Sequence, residues 1–318
     1  MEKRSLGRSG IQVSPFALGG NVFGWTVKES GSFEILDEFS RAGFNMIDTA
    51  DVYATWGPGN KGGESETIIG EWQKKRKNRN ELIICSKVGK PMAPGKFGLS
   101  QKYIRQAVED SLKRLQTDYI DLYQAHDDDP QTPMEETLST FTDLIKEGKV
   151  RAIGASNFTE ERLAKALEIS KANSYARYET LQPLYNLYDR GFEKDLQPFC
   201  VKEDIGVITY YSLARGFLTG KYRTEQDLNK SVRGQGIKTF LDVKGKKILS
   251  ALDDVSAKYH CSPACIALAW LMTRPAVVAP IASATSVVQL KELLQAAEIK
   301  LDEESIQKLS PESTTVSA

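Results

Sequence analysis

A complete strand–helix–strand unit lies between Tyr119 and Ser156, where the sequence reads YIDLYQAHDDDPQTPMEETLSTFTDLIKEGKVRAIGAS. The apolar runs Tyr119–His126 and Val150–Ser156 have the length and composition of buried strands. Between them, apolar residues recur at helical spacing, with Pro133 in the first turn of the predicted helix and Gly148 closing it. The two strands are therefore expected to run parallel, because only a crossover helix returns the chain to the same end of a sheet.

The same alternation continues along the whole chain. Six further strands are predicted at Phe16–Gly19, Phe44–Asp48, Leu82–Lys87, Thr180–Pro183, Val207–Tyr211 and Val277–Ile281. Eight parallel strands can form an open doubly wound sheet or a closed barrel. Open sheets that bind dinucleotides usually carry G-x-G-x-x-G after their first strand, and this chain lacks that motif. We therefore predict a (β/α)8 TIM barrel, as a single domain over residues 1–318.

Two segments interrupt the alternation. Trp56–Gly63 is a Gly/Pro-rich loop after the second predicted strand, and Ser212–Lys244 is a longer segment after the seventh that mixes glycines with basic residues. Insertions after strands lie at the C-terminal mouth of such a barrel, where active sites are found. We expect both extended loops to border the functional site.

Composition narrows the classes of protein that the chain can belong to. Of 318 residues, 41% are hydrophobic, which suffices for a large core, and Lys+Arg and Asp+Glu both number 42. This zero net charge argues against nucleic acid or an anionic membrane as the main partner. Neither a signal peptide nor an apolar run of about 18 residues is visible, so a cytoplasmic location is expected. The four cysteines form no C-x-x-C pair or metal-ligand cluster, so reduced thiols and no metal site are predicted.

Four polar residues follow predicted strands. Asp48 ends the second strand and Tyr53 lies five residues beyond it, Lys87 ends the third, and His126 ends the fourth. In a barrel these strand ends converge on one mouth. Taken one at a time, a solvated strand end or a hydrogen-bonded wall residue would explain Lys87 or His126. Their occurrence at successive strand ends favours a catalytic set.

The reaction that such a set suits is carbonyl reduction. Hydride attack on carbon builds negative charge on the oxygen, which must receive a proton. A tyrosine phenol is a weak acid unless its environment is tuned. We expect the Lys87 ammonium to lower the pKa of Tyr53, Asp48 to orient that ammonium, and a neutral His126 to position the carbonyl oxygen.

These motifs resemble the aldo-keto reductase superfamily, and the resemblance extends from about Leu6 to Leu309. The stretch GFNMIDTADVY (residues 43–53) resembles the family's signature around its catalytic Asp and Tyr, ICSK (84–87) its lysine strand, and DLYQAH (121–126) its histidine strand. The resemblance implies a TIM barrel and an NAD(P)H-dependent reduction of aldehydes or ketones. It also implies the catalytic residues Asp48, Tyr53, Lys87 and His126.

The resemblance further implies a nicotinamide cofactor across the barrel mouth. Ser156, Asn157 and Gln182 would hold the carboxamide, and Tyr210 would stack on the ring, with Tyr211 as the alternative. Lys221 would contact phosphate. The full set of implied cofactor-binding residues is Gly20, Asn21, Asp48, Ser156, Asn157, Gln182, Tyr210, Tyr211, Ser212, Leu213, Gly216, Leu218, Lys221, Ser283, Thr285, Ser286, Gln289 and Glu292.

The adenosine end departs from the family pattern. Many relatives have an arginine where Ser286 lies and an asparagine where Leu293 lies, and that arginine pairs with the 2′-phosphate of NADP. Thr285, Gln289 and Glu292 instead match relatives that bind the adenosine through side-chain hydrogen bonds. NADP(H) remains the favoured cofactor, with NAD(H) possible. Three basic residues of the long loop are candidates for the missing arginine: Arg223, Arg233 and Lys238.

The substrate and the biological role stay open at this point. Asn21, Phe23, Trp25 and Trp56 are candidates for a substrate pocket, with loop packing as the alternative for the tryptophans. The sequence indicates no oligomeric state. Some superfamily members are auxiliary subunits of potassium channels, and the adenosine end has some resemblance to theirs. A cofactor-binding regulatory subunit with slow or no turnover is therefore the alternative function.

Overall fold

The computed structural model describes residues 2–231 and 234–310. Eight parallel strands close into a barrel in which each strand pairs with the next along the chain and the last pairs with the first. They are β3 (Ala17–Gly19), β4 (Met46–Asp48), β5 (Ile83–Val88), β6 (Ile120–Ala125), β7 (Val150–Ser156), β8 (Tyr178–Gln182), β9 (Gly206–Thr209) and β10 (Val277–Ala282). The predicted TIM barrel is confirmed, and each of the eight predicted strands overlaps an observed one.

Ten α-helices surround the barrel within the described ranges. They are α1 (Glu29–Arg41), α2 (Glu64–Arg76), α3 (Gln101–Leu115), α4 (Met134–Lys146), α5 (Glu160–Asn173), α6 (Leu196–Glu203), α7 (Val243–Tyr259), α8 (Pro263–Met272), α9 (Val287–Leu294) and α10 (Glu303–Leu309). Pro133 is the N-cap of α4, just before the first turn in which it was predicted, and Gly148 follows the C-terminus of the helix with φ of 73°, as predicted.

Two of these helices are additions to the eightfold repeat. Helices α7 and α10 join through an ion pair between Lys258 and Asp302 at 2.7 Å, and the Asp302 amide donates to the Tyr259 hydroxyl at 2.8 Å. The predicted loop after β9 contains three 3-10 turns, at Ala214–Thr219, Glu225–Lys230 and Gly234–Phe240. None of the helices described is both long and apolar enough to cross a bilayer.

Side chains of the strands alternate between two hydrophobic cores. Met46, Cys85 and Leu122 belong to the cluster inside the barrel, whereas their neighbours Ile47 and Ile84 belong to the cluster between strands and helices. This period of two follows from strand geometry. It also determines which polar residues reach the inside at the strand ends.

A short antiparallel hairpin precedes the barrel and was not predicted. Its strands are β1 (Arg4–Ser5) and β2 (Gln12–Val13). Leu6, Ile11 and Val13 pack with the interior residues of the barrel, such as Met46, and so cover the end of the barrel opposite to the mouth. Strands of two residues are too short for an alternation of apolar and polar residues to be recognised in the sequence.

Candidate active site

The inward alternation brings three polar residues to the mouth. Asp48 lies two residues beyond Met46 on β4, and Lys87 two beyond Cys85 on β5. His126 directly follows β6, and its amide donates to the Val88 carbonyl at 2.8 Å. The side chains of Asp48 and Lys87 are fully buried. Asp48 pairs with Cys85 and Lys87 with Gln124, so neighbouring strands are offset, and the three residues converge because the parallel strands end at the same mouth.

Lys87 is the centre of the hydrogen-bond network. Its ammonium lies 2.8 Å and 2.9 Å from the two carboxylate oxygens of Asp48, 2.8 Å from the Thr49 carbonyl oxygen and 2.9 Å from the Tyr53 hydroxyl. The Tyr53 hydroxyl donates to Asp48 Oδ2 at 3.1 Å. All three N–H groups of the ammonium are thus engaged, and the phenol is held between a cation and an anion.

The pKa of Tyr53 differs from the expectation. We expected Lys87 to lower it, but the pKa of Tyr53 is raised well above its usual value, first by burial and then by the Asp48 carboxylate. The phenolate would lose its hydration and lie against an anion, and these two unfavourable effects outweigh its stabilisation by the Lys87 ammonium. Tyr53 therefore keeps its proton at neutral pH.

His126 is neutral in this environment. Burial, followed by the charges of Lys87 and Lys90, holds the pKa of His126 well below its usual value. The ring centroid lies 6.0 Å from that of Tyr53, and Nδ1 is buried with no hydrogen-bond partner in residues 2–231 and 234–310. A neutral imidazole can donate one hydrogen bond to an oxygen placed between the two rings.

Polar contacts behind the site fix the segment that follows β4. The hydroxyl groups of Thr49 and Ser65 are 2.8 Å apart, and Ser65 donates to the Gly20 carbonyl at 2.9 Å. Since the Thr49 carbonyl accepts a hydrogen bond from Lys87, this chain of contacts also orients the ammonium. Gly20 thus supports the site from behind rather than lining the groove.

A long groove of about 830 Å³ crosses the mouth above these residues. Fifteen of the eighteen predicted cofactor-binding residues line it: Asn21, Asp48, Ser156, Asn157, Gln182, Tyr210, Tyr211, Ser212, Leu213, Gly216, Lys221, Ser283, Thr285, Gln289 and Glu292. Leu218 is buried in the core, and Ser286 is exposed outside the groove as the N-cap of α9.

The residues predicted to hold a carboxamide form one hydrogen-bonded group. Ser156 Oγ donates to the Gln182 carbonyl at 3.0 Å, Asn157 Nδ2 donates to Ser156 Oγ at 3.2 Å, and Gln182 Nε2 donates to Asp48 Oδ1 at 2.9 Å. Gln182 Oε1 has no hydrogen-bond partner among the described residues. Together the hydroxyl and the two amides offer both donors and acceptors, which suits a primary amide such as that of nicotinamide.

Both candidate stacking tyrosines border the groove. The Tyr210 hydroxyl donates to Asn157 Oδ1 at 2.8 Å, which holds its ring beside the carboxamide group of residues. Tyr211 has φ of 50°, and its ring lies 4.9 Å from the Arg215 guanidinium, towards the long loop. The position of Tyr210 fits the stacking role better.

Most of the loop cations proposed for the adenosine phosphate are already paired. Arg223 forms two hydrogen bonds of 2.7 Å with Asp253, and Lys238 lies 3.0 Å from Glu225. Arg233 lies outside the described residues. Lys221 lines the groove and has no carboxylate partner among the residues described.

The pocket candidates divide into lining and core residues. Trp56 lines the groove, and its ring lies 5.9 Å from Tyr53 and 5.8 Å from Trp25, whereas Phe23 is fully buried in the core. The sequence reasoning missed Lys90 and Arg215 as lining residues. The only signals in the sequence are that Lys90 is a cation just beyond the strand of Lys87 and that Arg215 is a cation in the long segment after the seventh predicted strand.

Comparison with known proteins agrees with this geometry. The model of the Aldo/keto reductase family matches residues 15–311. The chain is 34% identical to the uncharacterized oxidoreductase YrpG of Bacillus subtilis, over 98% of this chain and 95% of the relative. It is 31% identical to Protein tas of Escherichia coli (96% and 95%) and 31% identical to the aryl-alcohol dehydrogenase [NADP(+)] of Phanerodontia chrysosporium (95% and 83%).

Proposed function

Because this chain belongs to the aldo/keto reductase family, we propose that it reduces aldehydes or ketones to alcohols with NAD(P)H, using Tyr53 as the general acid. The observation that carries the proposal is the buried Asp48–Lys87 pair in contact with the Tyr53 hydroxyl, at the base of a groove. A structural ion pair would need neither an adjacent phenol nor access to a groove of this length.

The protein residues supply acid, orientation and charge stabilisation. A bound reduced nicotinamide would supply the hydride. Tyr53 donates its proton to the carbonyl oxygen as negative charge develops there, and the Lys87 ammonium stabilises the phenolate that remains. Asp48 keeps the ammonium in place, and neutral His126 donates a hydrogen bond that positions the carbonyl oxygen.

The cofactor is the finer part of the proposal. Ser156, Asn157 and Gln182 would hold the carboxamide, and Tyr210 would stack on the ring. We favour NADPH over NADH because NADP is typical of the family, whereas Lys221, which lines the groove, would contact phosphate in either cofactor. The name of the aryl-alcohol dehydrogenase relative also specifies NADP. The Glu292 carboxylate lines the same groove and would repel a 2′-phosphate. We therefore expect the preference for NADPH over NADH to be moderate.

The test is turnover of purified protein with NADPH or NADH and a panel of aliphatic and aromatic aldehydes and ketones. We expect loss of the absorbance of the reduced nicotinamide, faster at low concentration with NADPH than with NADH, and recovery of the matching alcohol. Tight binding of either nucleotide without multiple turnover on any carbonyl would contradict the reductase. That result would instead support the regulatory subunit as the function.

A further inference from the structure

Asp51 is a buried carboxyl group that the proposed mechanism does not use. It lies in the segment between β4 and α2, two residues before Tyr53, and is fully buried. Among the residues that the structure describes, neither carboxylate oxygen has a hydrogen-bond partner. An ionised carboxylate that has lost water and gained no partner is costly, so this position calls for an explanation.

The nearby cations are committed to other carboxylates. The three N–H groups of Lys87 are taken by Asp48, Thr49 and Tyr53. The Arg114 guanidinium, from α3, donates to Glu66 Oε2 of α2 at 2.7 Å, and Glu66 is itself fully buried. The buried Lys87 and the partly buried Arg114 are thus paired with two buried carboxylates, and Asp51 is the third acid.

Ionisable groups surround Asp51 on every side that packs against it. They are Asp48 and Tyr53 from its own segment, Glu66 from α2, Lys87 from β5, Tyr103 and Arg114 from α3, and Tyr123 from β6. Burial, followed by the charge of Glu66, raises the pKa of Asp51 to about 8, against the opposing effects of the Val52 backbone amide and of the charges of Arg114 and Lys87. The Tyr123 hydroxyl of β6 is buried and has no hydrogen-bond partner within the described part of the chain, so it does not donate to the Asp51 carboxylate.

We propose that Asp51 is a positioning residue that stays protonated in the working site, so that Lys87 remains committed to Asp48 and Tyr53. This inference rests on the proposed reductase function. The Asp51 amide donates to the Lys87 carbonyl at 3.3 Å, which ties the backbones of the two residues together. The carboxyl group therefore lies close behind the acid and its ammonium, where its charge acts on both.

Loss of this proton would weaken Tyr53 as an acid. An anion at Asp51 adds a third negative charge to a cluster with two cations. It disfavours the phenolate that forms when Tyr53 gives up its proton, and it competes with Asp48 for Lys87. Since the pKa of Tyr53 lies well above its usual value, titration of Tyr53 itself does not enter the same pH range. Reduction should thus slow as the pH rises through the titration of Asp51.

The kinetic experiment compares wild type with Asp51→Asn, which cannot ionise, and with Asp204→Asn, an exposed aspartate paired with Arg8 on the surface. With saturating cofactor and carbonyl, the kcat of wild type and of the Asp204 variant should fall about tenfold between about pH 6.5 and about pH 9.5. The kcat of Asp51→Asn should change less than about twofold, and the KM for the cofactor should remain unchanged in all three. The same alkaline decline in Asp51→Asn as in wild type would overturn the proposal.

A second measurement needs neither a folded variant nor an active enzyme. Wild-type protein labelled with 13C at the aspartate carboxyl carbons is titrated by NMR. We expect one aspartate resonance to titrate near pH 8, far above an ordinary aspartate at about 4. If no aspartate titrates above about pH 6, the proposal is wrong even if the protein reduces carbonyls. If the resonance titrates near pH 8 but no carbonyl is reduced, the proposed function is wrong, whereas the inference that Asp51 is protonated still holds.

Discussion

Tyr53 keeps its proton tightly and yet has an ammonium 2.9 Å from its oxygen. These two properties act at different moments of the proposed reaction. Burial and Asp48 keep the phenol protonated before the reaction, and Lys87 lowers the free energy of the phenolate once the proton has left. What matters for catalysis is the energy of the developing charge in the transition state, rather than the resting pKa.

Replacing Tyr53 with Phe should abolish carbonyl reduction while leaving nucleotide binding intact. The change removes the donated proton, for which a loss of about 10²–10⁴-fold in kcat is typical of a general acid. Turnover is measured by nicotinamide absorbance and binding by fluorescence titration. The matched control is Tyr119→Phe, which removes a hydroxyl group outside the site that donates only one long hydrogen bond, of 3.4 Å, to Asn80. This variant should remain active. Retained turnover in Tyr53→Phe would rule out the assignment.

The buried Asp51 should also make stability depend on pH. Its folded-state pKa is about 8, and an unfolded aspartate has a pKa of about 3.9, so the folded state binds more protons between these values. The free energy of unfolding of wild type should therefore fall as the pH rises from about 5 to about 8, by up to about 1.4 kcal/mol per pH unit from this group.

Urea denaturation at several pH values checks this dependence. Asp51→Asn should have a flatter profile than wild type over the same range, because the asparagine side chain does not titrate. Parallel profiles for the two proteins would mean that Asp51 is not protonated in the folded state.

At the scale of single elements, β7 shows why the barrel interior constrains residue size. A Cβ atom added to Gly154 would collide with the Thr180 side chain of β8 and lie 3.1 Å from Gln124 Cγ of β6. The absence of a side chain at Gly154 thus lets the side chains of Gln124 and Gln182 approach each other to 3.5 Å. Packing of this kind depends on three strands at once.

We expect Gly154→Ala to lower the free energy of unfolding by about 1–3 kcal/mol, because the neighbouring strands cannot move apart freely. The matched control is Gly191→Ala, where the added Cβ would contact nothing within 4 Å. Thermal and urea unfolding of both variants measure the difference. Equal stability of the two alanine variants would contradict the packing argument.

Helix α9 offers a test of cofactor preference. Ser286 is its N-cap and accepts from the Gln289 amide at 3.2 Å. Ser286→Arg should raise the ratio of kcat/KM for NADPH over NADH, since a guanidinium near the helix N-terminus can pair with a 2′-phosphate. Ser286→Ala is the control: it loses the same cap, about 1 kcal/mol, and adds no cation. A similar shift in both variants would show that the cap, rather than the charge, controls the preference.

On the scale of the whole molecule, the two ends of the barrel have separate tasks. The mouth carries the groove and the ionisable residues, whereas the opposite end is covered by the β1–β2 hairpin through Leu6, Ile11 and Val13. Arg4 Nη1 also donates to the Val277 carbonyl at 2.9 Å, which attaches the hairpin to the start of β10. Stability and chemistry are therefore separable by mutation.

Leu6→Ala should lower the free energy of unfolding by about 2–5 kcal/mol, because it leaves a cavity beneath the interior core. The activity of the protein that remains folded should stay near that of wild type. Val243→Ala, at a side chain that is 73% exposed, is the control and should be near neutral in urea unfolding. A loss of kcat without loss of stability in Leu6→Ala would contradict the separation of the two ends.

Local pattern in the chain was enough to predict the barrel, its eight strands and the convergence of Asp48, Tyr53, Lys87 and His126. The periods of two in strands and 3.6 in helices can be recognised from residues that are close in sequence. Parallel pairing of the strands then follows from the alternation of strands with helices. The cofactor-binding residues were implied by the resemblance to the family instead, although some of them, such as Ser156 and Gln182, lie at strand ends that a barrel places at one mouth.

Only the tertiary structure decided the properties that depend on desolvation and on distant partners. The pKa of Tyr53 rises because of burial, a quantity that no local pattern contains. Arg223 is occupied by Asp253, thirty residues away, and Asp51 lacks a cation because Lys87 and Arg114 have other partners. Charge balance in a buried cluster is a sum over several elements, and it exists only once the chain has brought them together.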